Sequence, residues 1–163
     1  MISKTLQDAI NQQITHEYYS SNLYLAMTAY FESVNWPGYA SWVRIQSDEE
    51  AGHARKLIQY LFDRGGRAII GAIAAPPSDY AGPHDVFNKV LEHEQKVTAL
   101  INKIYALAVS ENDYAAQVFL QWFINEQVEE EKNASLIVGF LERIGESSGS
   151  LFALDHQLSK RGK

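Results

Sequence analysis

Histidine and glutamate recur at helical spacing in four places: His16-Glu17, Glu49-Glu50 with His53, His93-Glu94, and Glu126-Gln127 with Glu129 and Glu130. Carboxylates and imidazoles ligate hard and borderline metal ions, and they also move protons. Glu50 and His53, at i and i+3, project from one face of a helix one turn apart. So do Gln127 and Glu130.

The four places are two copies of one unit. Glu17 to Glu50 is 33 residues, and Glu94 to Gln127 is also 33 residues. Adding 77 carries His16-Glu17 onto His93-Glu94, Glu49-Glu50 onto Glu126-Gln127, and His53 onto Glu130. Two helical hairpins related by a pseudo-twofold axis would each offer a half-site: Glu17, Glu50 and His53 in one, Glu94, Gln127 and Glu130 in the other.

The apolar stripes show where these groups point. The first helix steps through Leu6, Ile10, Ile14, Glu17, Ser21 and Tyr24. The second steps through Tyr39, Val43, Gln46, Glu50, His53, Leu57 and Leu61. The third runs Phe87, Val90, Leu91, Glu94, Val97, Ile101 and Ile104, and the fourth Phe119, Phe123, Gln127, Glu130, Ile137 and Leu141. One glutamate on such a stripe reads as an edge residue. Four, one per helix, do not. Uncompensated buried carboxylates cost several kcal/mol each, so either they protonate or a cation lies between them. Glu17, Glu50, Glu94 and Glu130 supply four negative charges, which two divalent ions neutralise. Oxygen ligands with one imidazole suit Fe, Mn or Zn.

The elements that must position them follow from the breakers. Only 4 prolines occur, Pro37, Pro76, Pro77 and Pro83. Residues 3 to about 34 read as one helix. Asn35-Trp36-Pro37-Gly38 breaks it, and Pro37 opens a second that runs to about Arg64 and stops at Gly65-Gly66. Pro83 opens a third to about Ser110. Asn112 or Asp113 caps a fourth ending near Gly145. Residues 147–150 read as a hinge before a short fifth helix, about 150–159.

Two residues join each hairpin, which makes the paired helices antiparallel. The 65–82 segment is far longer. A 28-residue helix spans roughly 42 Å, and eighteen extended residues reach about 60 Å. The segment therefore runs the bundle's length and makes helices two and three parallel. The expected fold is all-α: a four-helix bundle with one long crossover, about 3–145, plus the short fifth helix, in one domain over 1–163.

Composition excludes other classes. The hydrophobic fraction is 46%, enough for a core. Cysteine count is 0, which removes thiolate metal sites, iron–sulfur clusters and cysteine nucleophiles. Lys+Arg is 14 against Asp+Glu 20, a net charge of −6, so nucleic acid is not an expected partner. No stretch of about 18 apolar residues suggests a membrane span. The first residues carry no apolar signal region, so a cytoplasmic protein is expected.

The motifs His-Glu-Tyr-Tyr at 16–19, Glu-Glu-Ala-Gly-His at 49–53, His-Glu-Gln at 93–95 and Gln-Trp-Phe-Ile-Asn-Glu-Gln-Val-Glu-Glu-Glu at 121–131 resemble those of the ferritins, specifically the bacterial non-haem ferritins. The likeness covers essentially the whole chain. It implies a hollow shell of about twenty-four subunits that oxidises Fe²⁺ with O₂ (or H₂O₂) and stores ferric oxyhydroxide inside. It implies that Glu17 and His53 bind one iron, Glu94 and Glu130 the second, that Glu50 bridges, and that Gln127 lines the site. Tyr24 looks like the family's tyrosine beside that centre. It lies roughly 10 Å along the helix from Glu17 and is expected to donate an electron.

Neighbouring families fit less well. Bacterioferritins carry Glu-x-x-His in both halves and hold haem through a methionine at the place of Gly52; Met1 and Met27 are the only methionines, so no haem is expected. Rubrerythrins need cysteine. DNA-protecting mini-ferritins build their site across subunits. The acidic channel of animal ferritins matches Gln117 and Leu120 here.

A third iron site is expected from Glu49, Glu126 and Glu129 with Glu130, matching the third site of the resembling family, with Glu131 a bystander. Two further readings stay open. An oxidase or peroxidase that stores nothing would form no cage, and a purely structural bundle would bind no Fe²⁺ stoichiometrically. His16, His84, His93 and His156 are expected at the surface or an interface. Trp36, Trp42 and Trp122 are expected to pack, and Glu111 and Asp113 to be solvated or to cap.

Overall fold

Asparagine and proline set the first turn. Asn35 takes a positive φ of 62°, and Pro37 starts the next helix. Asn112, 77 residues on, repeats that conformation with φ 55°. Asparagine tolerates the left-handed region because its side chain bonds locally. The computed structural model describes residues 1–162, with helices α1 (Lys4–Ser33), α2 (Pro37–Asp63), α3 (Pro83–Ser110), α4 (Tyr114–Ile144) and α5 (Ser148–Leu158). Among the described residues there is no strand.

Each hairpin turn holds three residues rather than the expected two, 34–36 and 111–113. Ser3 caps α1 by accepting from the Leu6 N–H, and Asp113 caps α4 by accepting from the Ala116 N–H, both at 3.0 Å. Asp113 also binds Arg64 at 2.8 Å, tying the end of α2 to the start of α4. Glu111 accepts from Ser3 at 2.5 Å.

The crossover runs as expected. Gly66 N–H closes α2 on Leu61 O at 2.8 Å. Asn11 then clasps the chain, donating to Arg67 O at 3.0 Å and accepting from Ile69 N–H at 2.7 Å. Gly71 lies against Thr15, and Tyr80 packs on Tyr30 with ring centroids 5.3 Å apart. The segment thus follows α1 towards its C-terminal end and delivers Pro83 there.

Two apolar clusters fill the bundle. At one end Leu23, Met27, Phe31, Tyr39, Val43, Phe87, Val90, Ile137 and Leu141 pack together. At the other end lie Leu6, Ile10, Ile14, Leu57, Leu61, Val97, Ile101, Ile104, Leu120 and Phe123. The starts of α2 and α3 share the first cluster, so these helices are parallel, and α1 and α4 run against them. Between the clusters lies a buried polar layer.

The fifth helix differs from the expected hinge. It begins at Ser148, because Leu151 N–H bonds Ser147 O at 2.9 Å and draws Gly149 and Ser150 into the first turn. The break is one step earlier, at Gly145 with φ 56°. Asp155 of α5 accepts from the Gly38 and Tyr39 N–H groups at 2.8 and 2.9 Å, which caps α2 from a distance. Gly38 permits the approach: a Cβ there would stand 1.7 Å from Asp155 O. Leu154 is buried while Phe152 stays exposed.

Candidate metal centre

The polar layer contains Glu17, Gln46, Glu50, His53, Glu94, Gln127 and Glu130, all buried. Each sits one or two helical turns from the apolar residues that fix its helix, so its position follows from packing on either side. Tyr24 is fully buried beside them.

Glu17, Glu50 and His53 come together, each offering a ligand atom within 4.8 Å of the others. His53 Nδ1 lies 3.1 Å from Glu50 Oε2. Trp122 meets the imidazole edge-on at 5.4 Å and Phe123 at 6.0 Å, which fixes the ring plane. Gln13 donates to Glu17 Oε1 at 2.8 Å, while Glu17 Oε2 has no partner among the described residues. A buried carboxylate oxygen without a donor is costly, and a cation removes the cost.

Glu94 and Glu130 lie outside that close triad but near enough for their charges to act on Glu50. They are held by neutral donors. Tyr24 O–H donates to Glu94 Oε1 in a short hydrogen bond, and Gln127 donates to Glu94 Oε2 at 3.1 Å. Gln46 donates to Glu130 Oε2 at 2.5 Å.

Burial, with the Glu50 charge behind it, pushes Glu17 well above the usual carboxylate range. Burial and then Glu94 do the same to Glu50. Glu94 is raised by burial against the lowering pull of Tyr24 and Gln127. Burial, with Glu94 next, lifts Glu130 to about 7. Burial and the Glu94 charge raise Tyr24 well above an ordinary phenol. No lysine or arginine pairs with any of the four carboxylates among the described residues. The layer therefore combines four crowded carboxyl groups, hard oxygen donors, one imidazole and an unpartnered oxygen. That donor set fits divalent metal ions.

The further acids stand at the rim of the layer. Glu49 is exposed and binds Arg161 at 2.7 Å, Glu126 is half-buried and Glu129 exposed. Glu131 accepts from Thr98 at 2.5 Å. His93, expected at the surface or an interface, turns partly inward within this chain. It is half-buried, with Nε2 2.7 Å from Ser20 Oγ and its ring edge-on to Tyr24 at 5.8 Å. Burial, with Lys96 next, lowers it to about 4, so it is neutral at pH 7. Trp42 is buried in the core, and Trp36 and Trp122 pack at its margins.

The stripes and motif spacings give neither Gln13 nor Gln46 a role. Gln13 stands four residues before Glu17, a spacing at which side chains meet on a helix, and that was the available signal. Nothing local signals the Gln46–Glu130 contact, which joins residues 84 apart.

A ferritin-like domain matches residues 7–144. A bacterial non-heme ferritin from Bacteroides fragilis is 44% identical over 161 residues, covering 99% of this chain and 100% of that protein. One from Staphylococcus aureus is 37% identical, covering 99% and 97%. Among solved structures, the open pore ferritin of the hyperthermophilic archaeon Archaeoglobus fulgidus superposes with a TM-score of 0.98 at 43% identity, covering 99% of both chains. An engineered closed form of that ferritin gives 0.97 at 43% identity, covering 99% of this chain and 98% of that one. The chain belongs to the ferritin family. Its fold is the ferritin four-helix bundle with a short fifth helix, and no helix among the described residues is long and apolar enough to cross a membrane.

Proposed function

We propose that this protein is an iron-storage ferritin with ferroxidase activity, taking Fe²⁺ as substrate, O₂ or H₂O₂ as oxidant, and holding ferric oxyhydroxide inside a hollow shell of twenty-four copies. The chain 1–163 acts as one ferritin-like domain in the cytoplasm. The observation that carries this reading is the buried four-carboxylate layer, which among the described residues has no lysine or arginine partner and leaves Glu17 Oε2 unpartnered.

Glu17 and His53 hold one Fe²⁺, Glu94 and Glu130 hold a second, and Glu50 lies between them. Each Fe²⁺ supplies one electron to the oxidant. The protein supplies the rest. Trp122 and Phe123 keep His53 in one orientation. Gln13 and Gln46 hold one oxygen each of Glu17 and Glu130, leaving the other oxygen free to ligate. Gln127 holds Glu94 and lines the site. Because burial raises the carboxylates, loading must expel protons, and neighbouring carboxylates hold or pass them on. Two electrons and two protons take O₂ to H₂O₂; where O₂ goes on to water, Tyr24, which touches Glu94, supplies one of the two further electrons and an Fe²⁺ at the third site the other. The apolar clusters on both sides exclude water from the layer.

Glu49, Glu126, Glu129 and Glu130 form a third iron site at the rim, from which oxidised iron moves inward. The test is aerobic Fe²⁺ addition to the assembled protein, followed by ferric absorbance and by electron microscopy. The reading requires rapid oxidation and mineral-filled shells. Rapid oxidation in a small oligomer without mineral would identify an oxidase that stores nothing, and absence of saturable Fe²⁺ binding would reduce the layer to a structural one.

A further inference from the structure

After α5 the chain does not leave the bundle. Lys160 N–H bonds Gln157 O and Arg161 N–H bonds Leu158 O, both at 3.2 Å, so the tail turns tightly. It then lies along α2. Asp155 stands over Gly38 and Tyr39, Arg161 over Trp42 and Glu49, and Gly162 against Ile45.

Three contacts converge on the Arg161 guanidinium. Nη2 donates to Glu49 Oε2 at 2.7 Å, Nη1 donates to Trp42 O at 3.2 Å, and the group stacks 4.4 Å from the Trp42 ring centroid. Its side chain is 22% exposed, against 85% for Lys4 in the Lys4–Asp8 pair. A freely solvated surface pair has neither the second donor contact nor the aromatic face. The positive charge also acts on Glu130. Arg161 thus stands where the acidic rim meets the buried layer.

We propose that Arg161 is a built-in counter-ion for Glu49, which a metal ion must displace, so that the C-terminal tail sets how readily the rim accepts a third ion. The inference rests on the proposed third site. Arg161 is a positioning residue: it acts through Glu49. While the pair holds, one rim carboxylate is neutralised and a fixed positive charge opposes an arriving cation. When an ion takes Glu49, the guanidinium loses one of its three contacts, and the tail loosens.

The test is anaerobic Fe²⁺ calorimetry on the assembled full-length protein. Arg161→Gln should tighten the last and weakest of three ions roughly twofold to fivefold, the scale of a partly exposed ion pair, change the ion at Glu94 and Glu130 less, and leave the ion at Glu17 and His53 unchanged. Arg161→Lys keeps the charge without the fork and should fall between. Hydrogen exchange at 159–162 should rise in the parent protein when the third ion loads, and should already be high in Arg161→Gln. A role in α5 packing alone would not single out the weakest ion. Unchanged or weaker third-ion binding in Arg161→Gln overturns the proposal. Glu49→Gln tells the third site and the tail's role apart. If it removes the third ion while Arg161→Gln changes nothing, the third site stands and the tail's role falls. If three ions still bind, the third-site reading falls, and this one with it.

Discussion

The two half-sites share a backbone repeat and differ in how their charges are satisfied. In the first, Glu17, Glu50 and His53 crowd together and one Glu17 oxygen has no partner among the described residues. In the second, Tyr24 and Gln127 satisfy both oxygens of Glu94, and Gln46 holds Glu130. The 77-residue offset shows how the difference arose: His53 gives way to Glu130, Glu50 to Gln127, and Gln13 to Val90. A half-site with an unpartnered oxygen and an imidazole binds a cation strongly. In the second, both Glu94 oxygens already accept hydrogen bonds that compete with an ion, so it releases an ion more easily. The asymmetry suits a centre that holds one ion and passes the other on.

The largest expected effect strikes that asymmetry directly. His53→Ala should slow rapid Fe²⁺ oxidation by about 100-fold or more, and Glu130→Ala by less, with the assembly intact in both. Stopped-flow absorbance checks this. Equal rates in both variants and the parent would remove the centre from these residues.

Stability should move in the opposite direction. At pH 7 the metal-free protein carries the cost of Glu17, so Glu17→Gln should raise its stability by about 1–3 kcal/mol while removing activity. Glu94→Gln should gain less, because both Glu94 oxygens already have donors. Thermal melts of the metal-free variants compare them.

The sign with pH follows from the same cause. Carboxyls whose pKa is raised by folding stabilise the fold fully below the ordinary carboxylate value of 4.5 and lose that contribution as pH rises through the folded value. Metal-free stability should therefore fall between pH 4.5 and about 7, the range set by Glu130. Fe²⁺ loading should abolish the fall and release protons, more for the ion at Glu17 and Glu50 than for the ion at Glu94 and Glu130. Calorimetry in buffers of differing protonation enthalpy counts them.

Smaller effects sharpen the rest. Tyr24→Phe removes the donor to Glu94, should cost about 1 kcal/mol, and should abolish a transient tyrosyl radical signal during oxidation. The same radical in the variant would clear Tyr24. At the turns, Asp113 caps α4 from within its own hairpin, but Trp36 stands at the matching place before α2 and Asp155 of α5 supplies the cap instead. Asp155→Ala should cost about 1 kcal/mol and raise hydrogen exchange across α5 and the start of α2, leaving α4 unaffected.

Much of this was legible in the residue string, for local reasons. Proline, asparagine and glycine mark the helix ends, and the apolar stripes show which carboxylates turn inward. The repeat ties the halves together, and it extends to Asn35 and Asn112, whose shared left-handed turn only the structure displays. What stayed hidden is non-local. Asp155 caps a helix whose first residues precede it by more than 110 positions, and Arg161 reaches Glu49 across 112. His93 turns inward because Ser20 and the rings of Tyr19 and Tyr24 make a place for it. A register one position off the ligand stripe could not show that. Gly149 and Ser150 look like a hinge by composition, yet α5's docking on Gly38 holds them in a helical turn.

Anomalous scattering at the iron edge, from crystals of the assembled protein loaded anaerobically with two Fe²⁺ per subunit, tests the central claim most directly. Two peaks are expected inside each bundle, one beside Glu17 and His53 at higher occupancy, one beside Glu94 and Glu130 at lower occupancy, with Glu50 between them. A buried layer without iron, or iron only on exposed surface acids, would contradict it.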